Sequence, residues 1–172
     1  MSARPLLLLA AAALAVTGCA LPGPEKSAGV GATVSGSAAA PAVYVTRGAD
    51  GGLQIEFSSD AAFDFGTARL LPAFEPQLVY VAALVMQSGQ APVSVIGHTD
   101  NVGAADFNQT LSEQRAQRVA AFLVGLGIAP ERLVTAGRGA LQPRATNATA
   151  AGRQSNRRIQ LLVSPGGPEA AP

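Results

Sequence analysis

The chain has 172 residues, 48% of them hydrophobic, with 12 basic and 11 acidic side chains. That apolar content excludes a wholly disordered chain, and the length fits one domain with appendages. The even charge balance and the lack of an aromatic-and-basic array set nucleic acid aside as a partner, and the single cysteine excludes an internal disulfide.

Residues 1–18 read as a signal peptide. Arg4 supplies a positive start, and the apolar run from Leu6 to Val16 is too short to span a bilayer but suits a signal-peptide core. The run leads into Val16-Thr17-Gly18-Cys19, which resembles a bacterial lipobox. The resemblance implies cleavage before Cys19, a diacylglyceryl thioether on its sulfur and an acylated new amino terminus. Several acyl chains, at about 0.8 kcal/mol per buried methylene, would anchor the chain permanently. An ordinary cleavage near Gly18, with Cys19 a bystander, is the alternative. Ala20 in the following position, where Asp would favour inner-membrane retention, implies the outer membrane. Residues 19–42 carry the lipidated Cys19 and a Gly/Ala/Ser/Pro tether. As a flexible coil that tether spans about 27 Å r.m.s..

The domain is expected over residues 43–164, with its core at 53–163. Val43 to Thr46 and Leu53 to Phe57 alternate like strands around the turn Gly48 to Gly52, a hairpin signal. Ala61 to Gly66 reads as an extended segment ending in a loop. Leu70, Phe74, Leu78, Val81 and Val85 form a helical stripe over residues 70–86. Pro76 would kink that helix if it began at Leu70. Val93 to Ile96 is a strand, and a loop through Asp100 leads into a helix ending near Gly125. Residues 132–137 form another strand, residues 139–152 a polar loop, and residues 157–163 a final strand after a short turn at Arg153. Residues 165–172 are a Pro/Gly tail. The expected fold is an α/β two-layer sandwich of order β-α-β-α-β-β, with helices on one face of a mixed sheet.

One residue breaks the amphipathic pattern of the helix wound from Leu111. Leu111, Val119, Phe122, Leu123 and Leu126 share a face, and Arg115 falls in the middle of it. A buried guanidinium without a partner costs several kcal/mol. Asp100, at the end of the preceding strand, could flank one cleft with it, where open α/β sheets bind ligands. The residues alone leave two readings open: a structural Asp100–Arg115 ion pair, or a ligand site.

Other constellations are poor. His98 is the only histidine and has no partners for a metal site. Ser112 lacks a histidine partner for nucleophilic catalysis. Asp64 and Asp100 could be imagined as a glycosidase pair. Among the C-terminal arginines Arg132, Arg138, Arg144, Arg153, Arg157 and Arg158, most read as solvated surface. Arg153, Arg157 and Arg158 are expected to brace the last strand, and Asn156 to fix its turn.

The motifs taken together resemble one family. Phe63-Asp64-Phe65-Gly66, Gly97-His98-Thr99-Asp100-Asn101-Val102-Gly103, Asn108, Leu111-Ser112, Arg115-Ala116, Gly137-Arg138-Gly139, Pro143, Asn147, Gly152-Arg153 and Asn156-Arg157-Arg158-Ile159 look like the OmpA C-terminal-like (OmpA/Pal/MotB) domain. The likeness runs from Leu53 to Val163. It implies a non-enzymatic domain without cofactor or metal that binds peptidoglycan through the meso-diaminopimelate of the stem peptide. Carried over by position, Asp100 takes the ligand's ammonium and Arg115 its carboxylate. Phe63, Asp64, Phe65 and Gly66 line the cleft, and Thr99 and Asn108 lie near it. In the empty protein Asp100 and Arg115 are expected to pair with each other. Pal-like chains usually carry Asn where this one has His98, so the likeness is stronger to OmpA-family lipoproteins. No stretch ahead of the domain reads as a β-barrel or a full membrane helix. The expectation is a lipid-anchored outer-membrane protein facing the periplasm that ties membrane to wall. An accessory component of an envelope or secretion machine and a wall hydrolase are the alternatives.

Overall fold

The computed structural model describes residues 43–165. The signal peptide, Cys19, the tether and most of the tail lie outside the described residues. Five strands form one open sheet: β1 (Val43–Arg47), β2 (Leu53–Ser58), β3 (Val93–Gly97), β4 (Leu133–Gly137) and β5 (Arg158–Val163). Their spatial order is β1-β2-β5-β3-β4. Only the β3–β4 pair is parallel; the pairs β1–β2, β2–β5 and β3–β5 are antiparallel. The helices are α1 (Ser59–Ala62), α2 (Glu75–Gln87), α3 (Ala105–Gly125) and α4 (Ala150–Asn156).

The period of two along the strands sends Ile55, Phe57, Val93, Val95, Ile159 and Leu161 to one face, where all are buried. Helices α2 and α3 cover that face with Leu78, Val81, Val85, Val119 and Leu123. Each such side chain, fully buried, contributes about 1.5–3 kcal/mol relative to exposure. The Phe57 and Phe74 rings meet at 4.8 Å and 44°, closing the core beneath the start of α2. The sandwich of helices on a mixed sheet is therefore as expected.

Several boundaries differ from the sequence reading, each for a local reason. Helix α2 begins at Glu75, not Leu70. Leu70 instead forms a bridge with Phe63, and Pro72–Phe74 is a 3-10 turn. Pro76 therefore sits in the first turn, where its missing amide costs nothing, and no kink arises. The start of the expected extended segment is helical, since Ser58 caps α1 by accepting from Asp60 N. The polar loop ends early. Thr149 caps α4 through Gly152 N, so β4 and β5 are separated by a helix. Arg132 is not solvated. It is buried, donating to Ala91 O at 3.0 Å and Val85 O at 3.1 Å, where it satisfies the last turn of α2. Arg158 is buried as well.

The second face of the sheet carries Gln54, Glu56 and Gln160. Part of the segment between β4 and α4 folds over it, with Arg144 pairing to Glu56. Asn156, at the end of α4 where a turn was expected, pins this segment instead, accepting from Arg144 N and Ala145 N and donating to Ala145 O.

His98 follows β3, bonded through its amide to Arg158 O, with its ring 1% exposed. Among the described residues neither ring nitrogen has a hydrogen-bond partner. Burial, and then the neighbouring Arg158, push its pKa down to about 4, with Gln160 opposing and Arg138 adding to the fall. Above its ordinary value of 6.5 the ring is neutral folded or unfolded and contributes no pH dependence. As the pH falls from there toward about 4, the unfolded chain takes up the proton and the folded one resists. Stability is therefore lost across that window, by roughly 3 kcal/mol at its acid end. His98→Asn is expected to remove this part of the slope in urea unfolding at stepped pH. An unchanged slope would show that His98 does not set it.

Candidate functional site

One end of the sheet gathers the C-terminal ends of β2 and β3, the start of β5 and the N-terminal half of α3. Helix α3 comes unusually close to the strands here. A Cβ at Gly97 would lie 2.0 Å from Ser112 O, and one at Gly137 would lie 2.6 Å from Ser112 Oγ. Only glycine permits this approach, and Ser112 Oγ uses it to accept from Gly139 N at 2.9 Å. The contact sets Asp100, just past β3, and Arg115, one turn along α3 from Leu111, in the lining of one cavity of about 530 Å³.

Arg115 is 5% exposed. Its Nε donates to Thr67 O at 2.8 Å and its Nη2 to Asp64 O at 3.5 Å, while the guanidinium carbon lies 5.2 Å over the Phe63 ring. These acceptors come from the turn Asp64–Thr67, closed by Thr67 N to Asp64 O, in which Gly66 takes φ 69°. An L side chain at Gly66 would be strained in that conformation. Burial lowers the pKa of Arg115; Asp60 opposes that, and Arg157 adds to it.

Asp100 is also buried. Its Oδ1 accepts from Val102 N at 3.0 Å and its Oδ2 from Arg157 Nη1 at 2.6 Å. The expected Asp100–Arg115 pair is therefore not formed. The partner of Asp100 is Arg157, which comes from the residue just before β5. Arg157 also clasps Asp60 with two bonds of 2.7 Å, and its pKa is raised chiefly by Asp60, against burial, with Asp100 adding to the rise. Thr99 Oγ1 donates to Asp100 O, and Asn108 Nδ2 donates to Val102 O and Asp100 O. Both hold the acid's loop in shape.

The structure thus brings Phe63, Phe65, Gly66, Thr99, Asp100, Asn108 and Arg115 to one cavity. Asp64 reaches the site through its backbone: its carbonyl accepts from Arg115, while its carboxylate pairs with Arg69. The sequence reading missed Asp60, Val102, Phe107 and Leu111 on the walls, and placed Arg153 and Arg157 only as braces. Arg153 and Arg158 do brace, donating to the Asn147, Asn156 and Gln142 carbonyls. Asp60 could have been noticed from Ser58-x-Asp60 opening a helical turn just before Phe63. Nothing local marks Arg157, whose neighbours are 57 and 97 residues away.

Chemically, the cavity offers the carboxylates of Asp60 and Asp100, joined by Arg157, the guanidinium groups of Arg115 and Arg153, and apolar surface from Phe63, Val102, Phe107 and Leu111. This suits a small zwitterion with an aliphatic body. Fold and site together define an open α/β domain with one charged cleft at the strand ends.

The comparisons agree with this class. Residues 62–157 match the OmpA family, and the chain belongs to it. The probable lipoprotein YiaD of Escherichia coli K12 is 38% identical over 72% of this chain and 56% of its own length. The outer-membrane lipoprotein YfiB of Pseudomonas aeruginosa is 36% identical over 66% of this chain and 68% of its own. The solved cell wall anchor of the T6SS from Pseudomonas aeruginosa superposes with a TM-score of 0.62 at 30% identity, covering 73% of this chain and 87% of that one. The chain spans little more than half of YiaD.

Proposed function

We propose that this protein is an outer-membrane lipoprotein that binds peptidoglycan non-covalently through the meso-diaminopimelate of the stem peptide, linking membrane to wall. The observation that carries this is Arg115: a buried guanidinium that lines one cavity with Asp100 and, among the described residues, is bonded to two carbonyls and to no carboxylate. The side-chain end of diaminopimelate bears an ammonium and a carboxylate on one carbon. Arg115 would receive the carboxylate in a two-pronged grip that lysine cannot make. Asp100 would attract the ammonium, and the apolar walls would cover the methylenes between this end and the peptide. The wall anchor and lipoprotein relatives support the reading, as does the lipobox-like Val16-Thr17-Gly18-Cys19. Lipid at one end and polymer at the other would raise the effective strength of a reversible contact. Likeness to the T6SS wall anchor also favours a second reading, in which the same contact positions an envelope or secretion machine. Crosslinking and co-purification of a machine component would distinguish the two.

The test is co-sedimentation with purified sacculi. Wild type is expected in the pellet, and Asp100→Ala and Arg115→Ala largely in the supernatant with unchanged circular dichroism. Wild-type-like sedimentation of both variants would overturn the site. Cys19→Ser is expected to abolish membrane fractionation and leave sacculus binding intact.

A further inference from the structure

We infer that the ligand's ammonium is held by two carboxylates, Asp60 and Asp100, which Arg157 yokes into one anionic cluster. The inference rests on the cavity being a diaminopimelate site and goes beyond it in assigning Asp60 a contact and Arg157 a positioning role.

The argument is one of charge and valence. Arg157 Nη1 already donates to Asp100 Oδ2 at 2.6 Å. Taken alone, Asp100 and Arg157 are a neutral pair and hold no net attraction for a cation. Asp60 changes that. It accepts Arg157 Nε and Nη2 at 2.7 Å each, so one guanidinium lies between two carboxylates and the cluster keeps one negative charge in excess. All three residues line the cavity. Arg115, also in the lining, has no carboxylate within ion-pair distance among the described residues, and its bonds go to Thr67 O and Asp64 O. With Arg153, which lines the cavity too, two acids stand against three arginines, and the excess negative charge is confined to the Asp60–Arg157–Asp100 cluster.

Both carboxylates retain capacity. An ionised carboxylate offers about four acceptor positions. Asp100 uses one for Val102 N and one for Arg157, and Asp60 uses two for Arg157. An ammonium has three hydrogens to give. It can bridge Asp60 and Asp100 without displacing Arg157, whose fork fixes the two acids relative to each other. Asp60 is the more open of the two, with a side chain 38% exposed against 11% for Asp100. It stands at the mouth, where a ligand would meet it first.

The experiment is calorimetric titration of the full-length chain with two synthetic peptides. One is L-Ala-γ-D-Glu-meso-diaminopimelate. The other carries 2-aminopimelate instead, which keeps the distal carboxylate and lacks the distal amine. Wild type is expected to prefer the first by at least about tenfold. Asp60→Asn is expected to cut this preference to about threefold or less and to leave the affinity for the amine-free peptide nearly unchanged. Arg157→Gln should lower the preference as well, and add no further loss on an Asp60→Asn/Asp100→Asn background, where no acid is left to position. A residue that merely stabilised the fold would instead weaken both peptides alike and add its loss on that background too. Asp60→Asn changes a half-open side chain on a short helix, so it reads out even if Arg157→Gln fails to fold. An unchanged preference in Asp60→Asn overturns the inference, as does a wild type that binds both peptides alike, which would leave the Arg115 carboxylate site standing. A wild type that binds neither peptide overturns the diaminopimelate reading and this inference with it.

Discussion

Arg115→Met is expected to weaken sacculus binding by about a hundredfold or more while leaving the thermal midpoint at or above that of wild type. The two effects have one cause. The guanidinium is 5% exposed, and its hydrogen bonds end on carbonyls. Part of its desolvation is therefore uncompensated in the empty protein. Methionine has a similar length and no charge to bury, and such replacements of buried charges are often neutral or stabilising by about 1–4 kcal/mol. The bound ligand responds in the opposite sense. Its carboxylate would be left buried without a partner, a loss on the order of 3–5 kcal/mol. Arg115→Lys keeps the charge but gives up the planar fork, so its binding should fall between the two. Sacculus sedimentation and thermal melts on the same preparations check both halves. A sharply lowered midpoint with intact binding would make Arg115 a structural residue.

Gly97→Ala is expected to cost about 3 kcal/mol of stability and to weaken wall binding with it. Its Cβ would lie 2.0 Å from Ser112 O and 2.8 Å from Ser112 C, which are helix backbone and cannot swing aside. Helix α3 would have to lift off β3, straining the Ser112–Gly139 bond and moving Arg115 away from Thr67 O. Gly125→Ala is the internal contrast. The site is at the end of the same helix with nothing within 4 Å of a new Cβ, and the substitution should stabilise by about 0.5–1 kcal/mol. Urea unfolding of the two variants beside wild type measures the difference. Equal stabilities would show that the close approach at Gly97 is not a constraint.

The amino-acid pattern alone is enough to specify the strands, the two long helices and the anomaly of Arg115. These features are local or periodic. Alternating Val and Ile make strands, a stripe of Leu and Val makes a helix, and a charge on that stripe stands out against its neighbours. The cleft loops at Asp100 and Phe63–Gly66 were legible through the motifs they carry. The short helices were not. Helices α1 and α4 have four and seven residues, too few for periodicity, and their signals are single capping hydroxyls on Ser58 and Thr149.

Tertiary structure alone decided which charge faces which. Sequence spacing pairs Asp100 with Arg115, because they flank one loop and one helix. In the folded chain Asp100 instead meets Arg157, 57 residues on, because β5 lies between β2 and β3 and delivers its first residues to the same end of the sheet. That strand order also brings in Asp60 and leaves Arg115 with carbonyls. A buried ion's partner is set by which backbone ends converge, and long-range strand pairing is not written in local periodicity. The sequence could mark Arg115 as a charge in need of an explanation. Only the fold, by giving its obvious partner to another arginine, left it without a carboxylate among the described residues.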